Sequence, residues 1–170
     1  MSNVNLVLNK NLLTVQYFKD NATIRYNSKP FEIYTDTVEI PNGLETNGDN
    51  KWYIKAEIPK ETRDLIEQLN DQIRNRINEY WGRETILKFS DCFDYSKSKS
   101  EMFLKIKYRY KKFETKVFDI SSTPASIYQL NKEKKAKLTI SLGSAFRENE
   151  NVLLKWTVDK IVYENYAVYS

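Results

Sequence analysis

The sequence predicts a mainly β protein: a small antiparallel β-barrel of five to seven strands with one long amphipathic α-helix over about residues 60–81. Several stretches alternate apolar and polar residues, as a strand with one buried face does. Twelve Tyr among 170 residues and an aromatic content of 14% also suit strands. Apolar residues at helical spacing occur in only one stretch, so we expect most of the remaining chain to be β.

The strand predictions depend on alternation in separate stretches. Residues 52–58 place one set of side chains inward, namely Trp52, Ile54, Ala56 and Ile58, and residues 135–142 do the same with Ala136, Leu138, Ile140 and Leu142. Further strands are predicted over residues 22–41, around a turn at 27–30, and over 86–93, 102–111 and 152–163. Residues 112–120 are expected to be either the hairpin partner of 102–111 or its bent continuation. We place Trp52 and Trp156 in the core, because both share a face with aliphatic residues.

The helix prediction starts after Pro59. Five apolar residues recur at steps of three and four and form one stripe: Ile66, Leu69, Ile73, Ile77 and Tyr80. Acidic residues crowd the first turns and arginines the end, as the helix dipole favours, and Gly82 is a plausible stop.

A five-stranded oligonucleotide-binding (OB) barrel with additions fits this order of elements best, and a two-sheet jelly roll is the main alternative. We expect residues 1–170 to form a single domain. Residues 1–20 are expected to be an N-terminal arm or an edge strand, and residues 164–170 a short C-terminal tail.

The most unusual stretch is MFLKIKYRYKKFETK, residues 102–116. Between Phe103 and Phe118 lie six cations and one anion, Glu114, a local excess that exceeds the net charge of +4 of the whole chain. Cations at every second position of a strand repel one another unless an anion lies along them. We interpret this anion as a nucleic-acid backbone, with base faces stacking on nearby rings.

Strict alternation leaves the role of the rings open. Tyr108 and Tyr110 share a face with Leu104 and Ile106, which favours the core, whereas a twist or bulge near Lys111 would turn Tyr110 or Phe113 outward. Outward positions on other strands extend the candidate groove, and Lys97 and Lys99 are candidates for a flap over it. The nucleic-acid-binding candidates are Lys105, Lys107, Arg109, Lys111, Lys112, Tyr110, Phe113, Lys116, Tyr53, Lys55, Lys135 and Lys137.

Several catalytic classes are excluded by composition. The chain has no His, so it lacks Ser-His-Asp and Cys-His systems and every His-ligated metal site. Cys92 is the single cysteine, which excludes an internal disulfide and a Cys-cluster metal site. We interpret Asp91 and Asp94 as polar residues at the edge of a loop rather than as metal ligands. We therefore expect a binding protein that is not an enzyme, with no catalytic residues, no metal and no cofactor.

The sequence contains no apolar run of signal-peptide or membrane-spanning type. With a single cysteine, a reducing compartment is the simplest expectation. We predict a soluble, intracellular protein without membrane contact.

The order of elements resembles single-stranded-DNA-binding proteins of large double-stranded DNA viruses, which are related in fold to the replication single-stranded-DNA-binding protein of short-tailed phages. The resemblance covers about residues 29–164. It is carried by short motifs: KPFEIYTDTVEIPNGLE with Pro41, Gly43 and Leu44, the strand 52–58, the helix after Pro59, and KWTVDKIVYE with Lys155, Trp156, Val158 and Ile161.

This resemblance implies an OB barrel that coats single-stranded DNA without sequence preference during replication, and contact with polymerase or primase machinery. A viral protein would act in the host cytoplasm or nucleus, at replication sites. Phage members end in an acidic tail, whereas this chain ends YENYAVYS with Glu164 as its last acid. Tail-mediated regulation is therefore not expected to carry over, and the Tyr-rich terminus becomes a candidate contact for a neighbouring subunit in a homo-oligomer.

The leading hypothesis is non-sequence-specific binding and protection of single-stranded DNA in replication, recombination or repair. One alternative is an RNA-binding OB module, because phosphates and stacking are common to both nucleic acids. Another is a virion, structural or partner-binding protein whose basic strand meets an acidic protein surface.

Overall fold

A computed structural model describes residues 9, 11–48, 50–94 and 100–167. Its helices are α1 (Lys60–Asn78) and α2 (Leu130–Glu133), the latter preceded by a 3₁₀ turn (Ile127–Gln129). The strands are β1 (Leu13–Tyr17), β2 (Asn21–Tyr26), β3 (Phe31–Glu39), β4 (Glu45–Thr46), β5 (Trp52–Glu57), β6 (Lys88–Phe89), β7 (Phe93–Asp94), β8 (Glu101–Ile106), β9 (Tyr108–Arg109), β10 (Lys112–Phe113), β11 (Lys116–Phe118), β12 (Lys135–Glu148) and β13 (Asn151–Val162).

The predicted mainly β class is confirmed, but two details of the predicted architecture are wrong. The described chain has thirteen strands rather than five to seven, because several pairings involve segments of only two residues. The sheet is not purely antiparallel, since β13 pairs in parallel with β6, β8 and β11. Among the described residues the hydrogen-bonded strands do not close into a ring, so the closed OB barrel stays a prediction.

The residues divide into two compact units. The first unit comprises Met1–Phe31, Pro59–Asp91 and Leu142–Lys155, and the second Glu32–Ile58, Cys92–Ser141 and Trp156–Ser170. The long strands β12 and β13 contribute residues to both units. The expected single-domain organisation remains a prediction.

In the first unit, β1 and β2 form an antiparallel hairpin, and β2 continues the sheet onto the end of β12. Helix α1 buries four members of the predicted apolar stripe, Ile66, Leu69, Ile73 and Ile77, whereas the fifth, Tyr80, lies beyond the helix and is 50% exposed. Burial of each of the four aliphatic side chains stabilises the fold by roughly 1.5–3 kcal/mol. The regular helix ends three residues before the predicted end, and hydrogen bonds from the Trp81 amide to the Ile77 carbonyl and from the Gly82 amide to the Asn78 carbonyl continue it as a turn.

The second unit is built on β5 and β8, which pair antiparallel from Tyr53 opposite Lys105 to Glu57 opposite Glu101. Their inward residues are buried, including Ile54, Ala56, Met102 and Leu104. Next to β8 lies β13, with Thr157 opposite Lys105. The buried side chains of β12 (Ala136, Leu138, Ile140 and Leu142) and the buried Trp156 are as predicted. Trp52, which was predicted to lie in the core, is only half-buried.

A buried carboxylate in the second unit organises the turn that follows β11. Asp119 Oδ1 accepts hydrogen bonds from the Ser121 hydroxyl at 2.7 Å, the Ser121 amide at 2.9 Å and the Thr123 amide at 3.0 Å. Its Oδ2 accepts from the Ala167 amide at 3.1 Å and thereby ties down the C-terminal segment. The bond from the Ser121 hydroxyl, followed by that from Ala167, lowers the pKa of Asp119 from 3.8 to about 2.

Asp119→Asn is expected to lower the melting temperature at neutral pH, because an amide nitrogen in place of Oδ2 cannot accept from Ala167. A depressed pKa in the folded state gives stability that is present above about pH 4 and is lost as the pH falls through about 2. The difference between wild type and variant should therefore narrow across that range, measured by thermal melts. Asp36→Asn, at an exposed position of β3, is the control; equal melting of wild type and Asp119→Asn at neutral pH would contradict the assignment.

Candidate nucleic-acid interface

Residues 107–115, here called the basic hairpin, leave the sheet between two strands that share one neighbour. Strand β8 pairs with β13 at Val158, and β11 pairs with β13 two residues further on, at Lys160. The intervening residues have no place in this ladder. They fold back as β9 and β10, with Arg109 opposite Lys112 and Tyr108 opposite Phe113. The strand predicted over residues 102–111 therefore ends at Ile106, and of the two expected continuations the structure has a hairpin, whose turn lies within the predicted strand.

Thr115 fixes the base of the basic hairpin. Its side chain is buried, and its Oγ1 donates to the Val158 carbonyl at 2.6 Å and accepts from the Lys107 amide at 2.9 Å. The Glu114 amide donates to the Lys107 carbonyl at 2.7 Å. The Thr115 hydroxyl thus bridges the base of the hairpin and the backbone of β13.

Four aromatic side chains, here called the ring cluster, support the hairpin. They are Trp52, Tyr108, Phe113 and Tyr128, with ring centroids 4.9–6.3 Å apart. Such tilted and edge-on contacts contribute roughly 0.5–1.5 kcal/mol per pair beyond simple burial. Phe113, predicted as a base-stacking ring, is half-buried in this cluster, as is Tyr108. Sequence reasoning placed neither Trp52 nor Tyr128 here, because the cluster joins segments far apart in the chain.

The turn of the basic hairpin consists of Tyr110 and Lys111, with φ of 52° and 62°. A two-residue hairpin turn with both φ values positive is normally occupied by Asn-Gly or Asp-Gly, which tolerate this region. Holding bulkier residues there costs roughly 1–3 kcal/mol each. The turn breaks the alternation of the strand, so Tyr110 is 81% exposed rather than directed to the core.

The predicted cations differ in exposure. Arg109, Lys111 and Lys112 on the hairpin are exposed, as is Lys116 on β11. Lys105 is half-buried on β8. Lys107 is half-buried and forms an ion pair with Asp159, so much of its charge is already compensated. The hairpin itself therefore offers three exposed cations against one exposed anion, Glu114.

A second group lies on the solvent-facing side of β5 and β8. Tyr53 is opposite Lys105, and Lys55 is opposite Phe103. The Tyr53 and Phe103 rings are tilted by 30° with centroids 4.8 Å apart, and Phe103 is 38% exposed. Phe103 was missed by sequence reasoning, although its odd position, the same parity as Lys105, was the available signal.

The remaining predicted cations lie on other strands. Lys137 of β12 is exposed, whereas Lys135 forms an ion pair with Glu164 at 3.9 Å. Lys116 is opposite Lys160 of β13, an exposed cation that sequence reasoning missed. The hairpin cations therefore lie together with Tyr110 and Phe113. Tyr53, Lys55 and Lys105 form a separate group on β5 and β8. Lys97 and Lys99 lie outside the described residues.

Two further observations concern other kinds of site. In the described part of the chain, no three His, Cys, Asp or Glu side chains cluster so that they could hold a metal ion. Of the helices in the described ranges, none combines the length and apolarity needed to cross a bilayer.

Thr115→Val is expected to destabilise the protein by about 1–3 kcal/mol, because the buried Val158 carbonyl loses its donor and the Lys107 amide loses its acceptor while the side-chain shape is kept. The measurement is the free energy of unfolding in denaturant. Thr115→Ser, which keeps the hydroxyl, should lose much less. Wild-type stability of the valine variant would show that Thr115 does not anchor the hairpin.

Comparisons with known proteins give one kind of match. No family model and no curated protein matches the chain. Among solved structures, it is similar to the single-stranded DNA-binding protein from bacteriophage Enc34 in complex with single-stranded DNA, with a TM-score of 0.53, 13% identity, and coverage of 92% of this chain and 97% of that one. A C-terminal truncation of the same phage protein matches with a TM-score of 0.52 and 12% identity over 94% and 97% of the two chains. At this level of identity, the likeness shows that the chain shares the fold of these structures.

Proposed function

We propose that the protein binds single-stranded DNA without sequence preference and protects it in replication, recombination or repair. The observation that carries the proposal is the basic hairpin, in which Arg109, Lys111 and Lys112 are exposed beside an exposed tyrosine on an anchored support. A single-strand groove needs cations that track phosphates and rings that accept bases. The shared fold with a phage protein solved with single-stranded DNA adds support.

The solvent-facing side of β5 and β8 supplies a second part of the proposed site. Tyr53 and Phe103 form a partly exposed ring pair, flanked by Lys55 and Lys105 across the strand pairing. A base resting on these rings would contribute roughly 1–3 kcal/mol without sequence preference, because every base has a flat π face.

The cations are not equivalent in this proposal. Lys107 is bound to Asp159 and acts mainly in holding the hairpin, and Lys135 is bound to Glu164. The phosphate contacts are assigned instead to Lys55, Arg109, Lys111, Lys112 and Lys116. Contact with polymerase or primase and self-association stay predictions.

The central test is the salt dependence of oligonucleotide binding. With four to six phosphates contacted, log K should fall with log salt at a slope of about −3 to −4. Replacing Arg109, Lys111 and Lys112 together by Gln should weaken binding and reduce the magnitude of that slope by about 2, since each lost contact removes about 0.7. Fluorescence anisotropy of a labelled single strand at several salt concentrations measures both quantities.

The matched control is the triple change of Lys19, Lys29 and Lys60 to Gln. These lysines are exposed and lie in the other compact unit. Replacing them lowers the net charge by the same amount as the change in the hairpin does. The control should keep the wild-type slope. If the wild-type protein does not bind single-stranded DNA at low salt, the proposal is refuted and an acidic protein partner is favoured. Preferential binding of RNA in a competition with matched DNA would contradict the DNA assignment.

A further inference from the structure

The tip of the basic hairpin has a conformation that its sequence does not favour. Tyr110 and Lys111 both adopt positive φ, a region that suits Gly, Asn and Asp. A hairpin whose turn served only to reverse the chain would be more stable with those residues. The strain at this turn therefore points to a role for the side chains that it displays.

Arg109 holds the Tyr110 ring in a defined position. The guanidinium carbon lies 4.8 Å from the ring centroid, and Nη2 donates to the Tyr110 hydroxyl at 3.1 Å. The ring is nevertheless 81% exposed. An exposed ring that is oriented in advance loses less conformational freedom when a flat partner stacks on it.

Cations flank Tyr110 in the chain, and among the described residues no aromatic side chain packs against its ring. Lys111 and Lys112 are exposed next to it in the chain, whereas Tyr108 and Phe113 pack into the ring cluster. The tip thus combines one open aromatic face with positive charge. Its complement is a flat aromatic group on an anionic chain, which describes an unpaired base on a phosphate backbone.

We propose that Tyr110, positioned by Arg109, stacks on an unpaired base and is the residue by which the protein distinguishes single-stranded from double-stranded nucleic acid. This inference rests on the proposed function and assigns its specificity to one side chain. In a duplex each interior base is already stacked on both faces, so the ring has no free face to contact without unstacking a step. The neighbouring cations contact phosphates, which both forms carry.

The proposal predicts that the ring and the cations affect different quantities. Stacking is not an ionic contact, so loss of the ring should lower single-strand affinity by about tenfold or more at every salt concentration and leave the salt slope unchanged. Duplex affinity should not change. Loss of the cations should instead alter the slope for both forms.

Tyr110→Asn is the decisive variant, because Asn suits positive φ and the hairpin should fold at least as well as in the wild type. Binding of a labelled single strand and of the matching duplex is measured for this variant, for Tyr110→Phe and for Lys111→Gln/Lys112→Gln. The expected result with Tyr110→Asn is a loss of single-strand affinity at an unchanged salt slope and with unchanged duplex affinity. Tyr110→Phe should bind nearly as the wild type does, and the lysine pair should bind both forms more weakly with a reduced slope.

The outcomes separate this inference from the proposed function. If wild type does not bind single strands, the proposed function itself fails. If wild type binds and Tyr110→Asn binds equally well, or loses single-strand and duplex affinity by the same factor, the stacking role of Tyr110 is overturned while the proposed function stands.

As a direct readout, Tyr110→Trp should show quenched tryptophan emission with the single strand and not with the duplex; equal quenching by both would also overturn the inference.

Discussion

β13 pairs in turn with β8 and with β11, and the local structure around the candidate site follows from that constraint. Ile106 and Lys116 are opposite β13 residues only two positions apart. The nine residues between them cannot remain in the ladder, so they form a separate two-stranded sheet. Thr115 then supplies a hydroxyl at the point where the chain re-enters the sheet, and it satisfies the Lys107 amide and the Val158 carbonyl together.

This arrangement relieves part of the repulsion within a strongly cationic segment. In a flat strand, the cations at alternate positions would face one way and repel one another. In the hairpin, Lys107 is compensated by Asp159 at the base. Arg109 and Lys112, by contrast, lie directly opposite each other and still repel, which favours an anionic partner. The aromatic side chains of the same segment stabilise the hairpin, because Tyr108 and Phe113 pack against Trp52.

Local patterns predicted the features that depend on side-chain alternation. The buried faces of β5 and β12 and the apolar stripe of α1 could be read from sequence, since each depends only on spacing within one element. Phe103 and Lys105 are two positions apart, so the alternation of the strand also indicates that they share one face. For the candidate site, the sequence identified the cations but not which of them are exposed.

The remaining features depend on contacts between distant segments. No local signal shows that β13 pairs in parallel with three different strands, or that Asp159 neutralises Lys107. The hairpin turn lacks the Asn-Gly or Asp-Gly pair that normally reveals it, because Tyr110 and Lys111 occupy those positions. The ring cluster likewise requires Trp52 and Tyr128 to approach from other parts of the chain.

Binding of single-stranded DNA through the basic hairpin can be tested by mapping the bound surface residue by residue, following amide chemical shifts during titration with a single-stranded oligonucleotide at low salt. The largest changes are expected at Phe103, Lys105 and residues 109–113, with little change along α1. Changes concentrated on α1, or an unaffected hairpin in a protein that binds the oligonucleotide, would contradict this role of the hairpin.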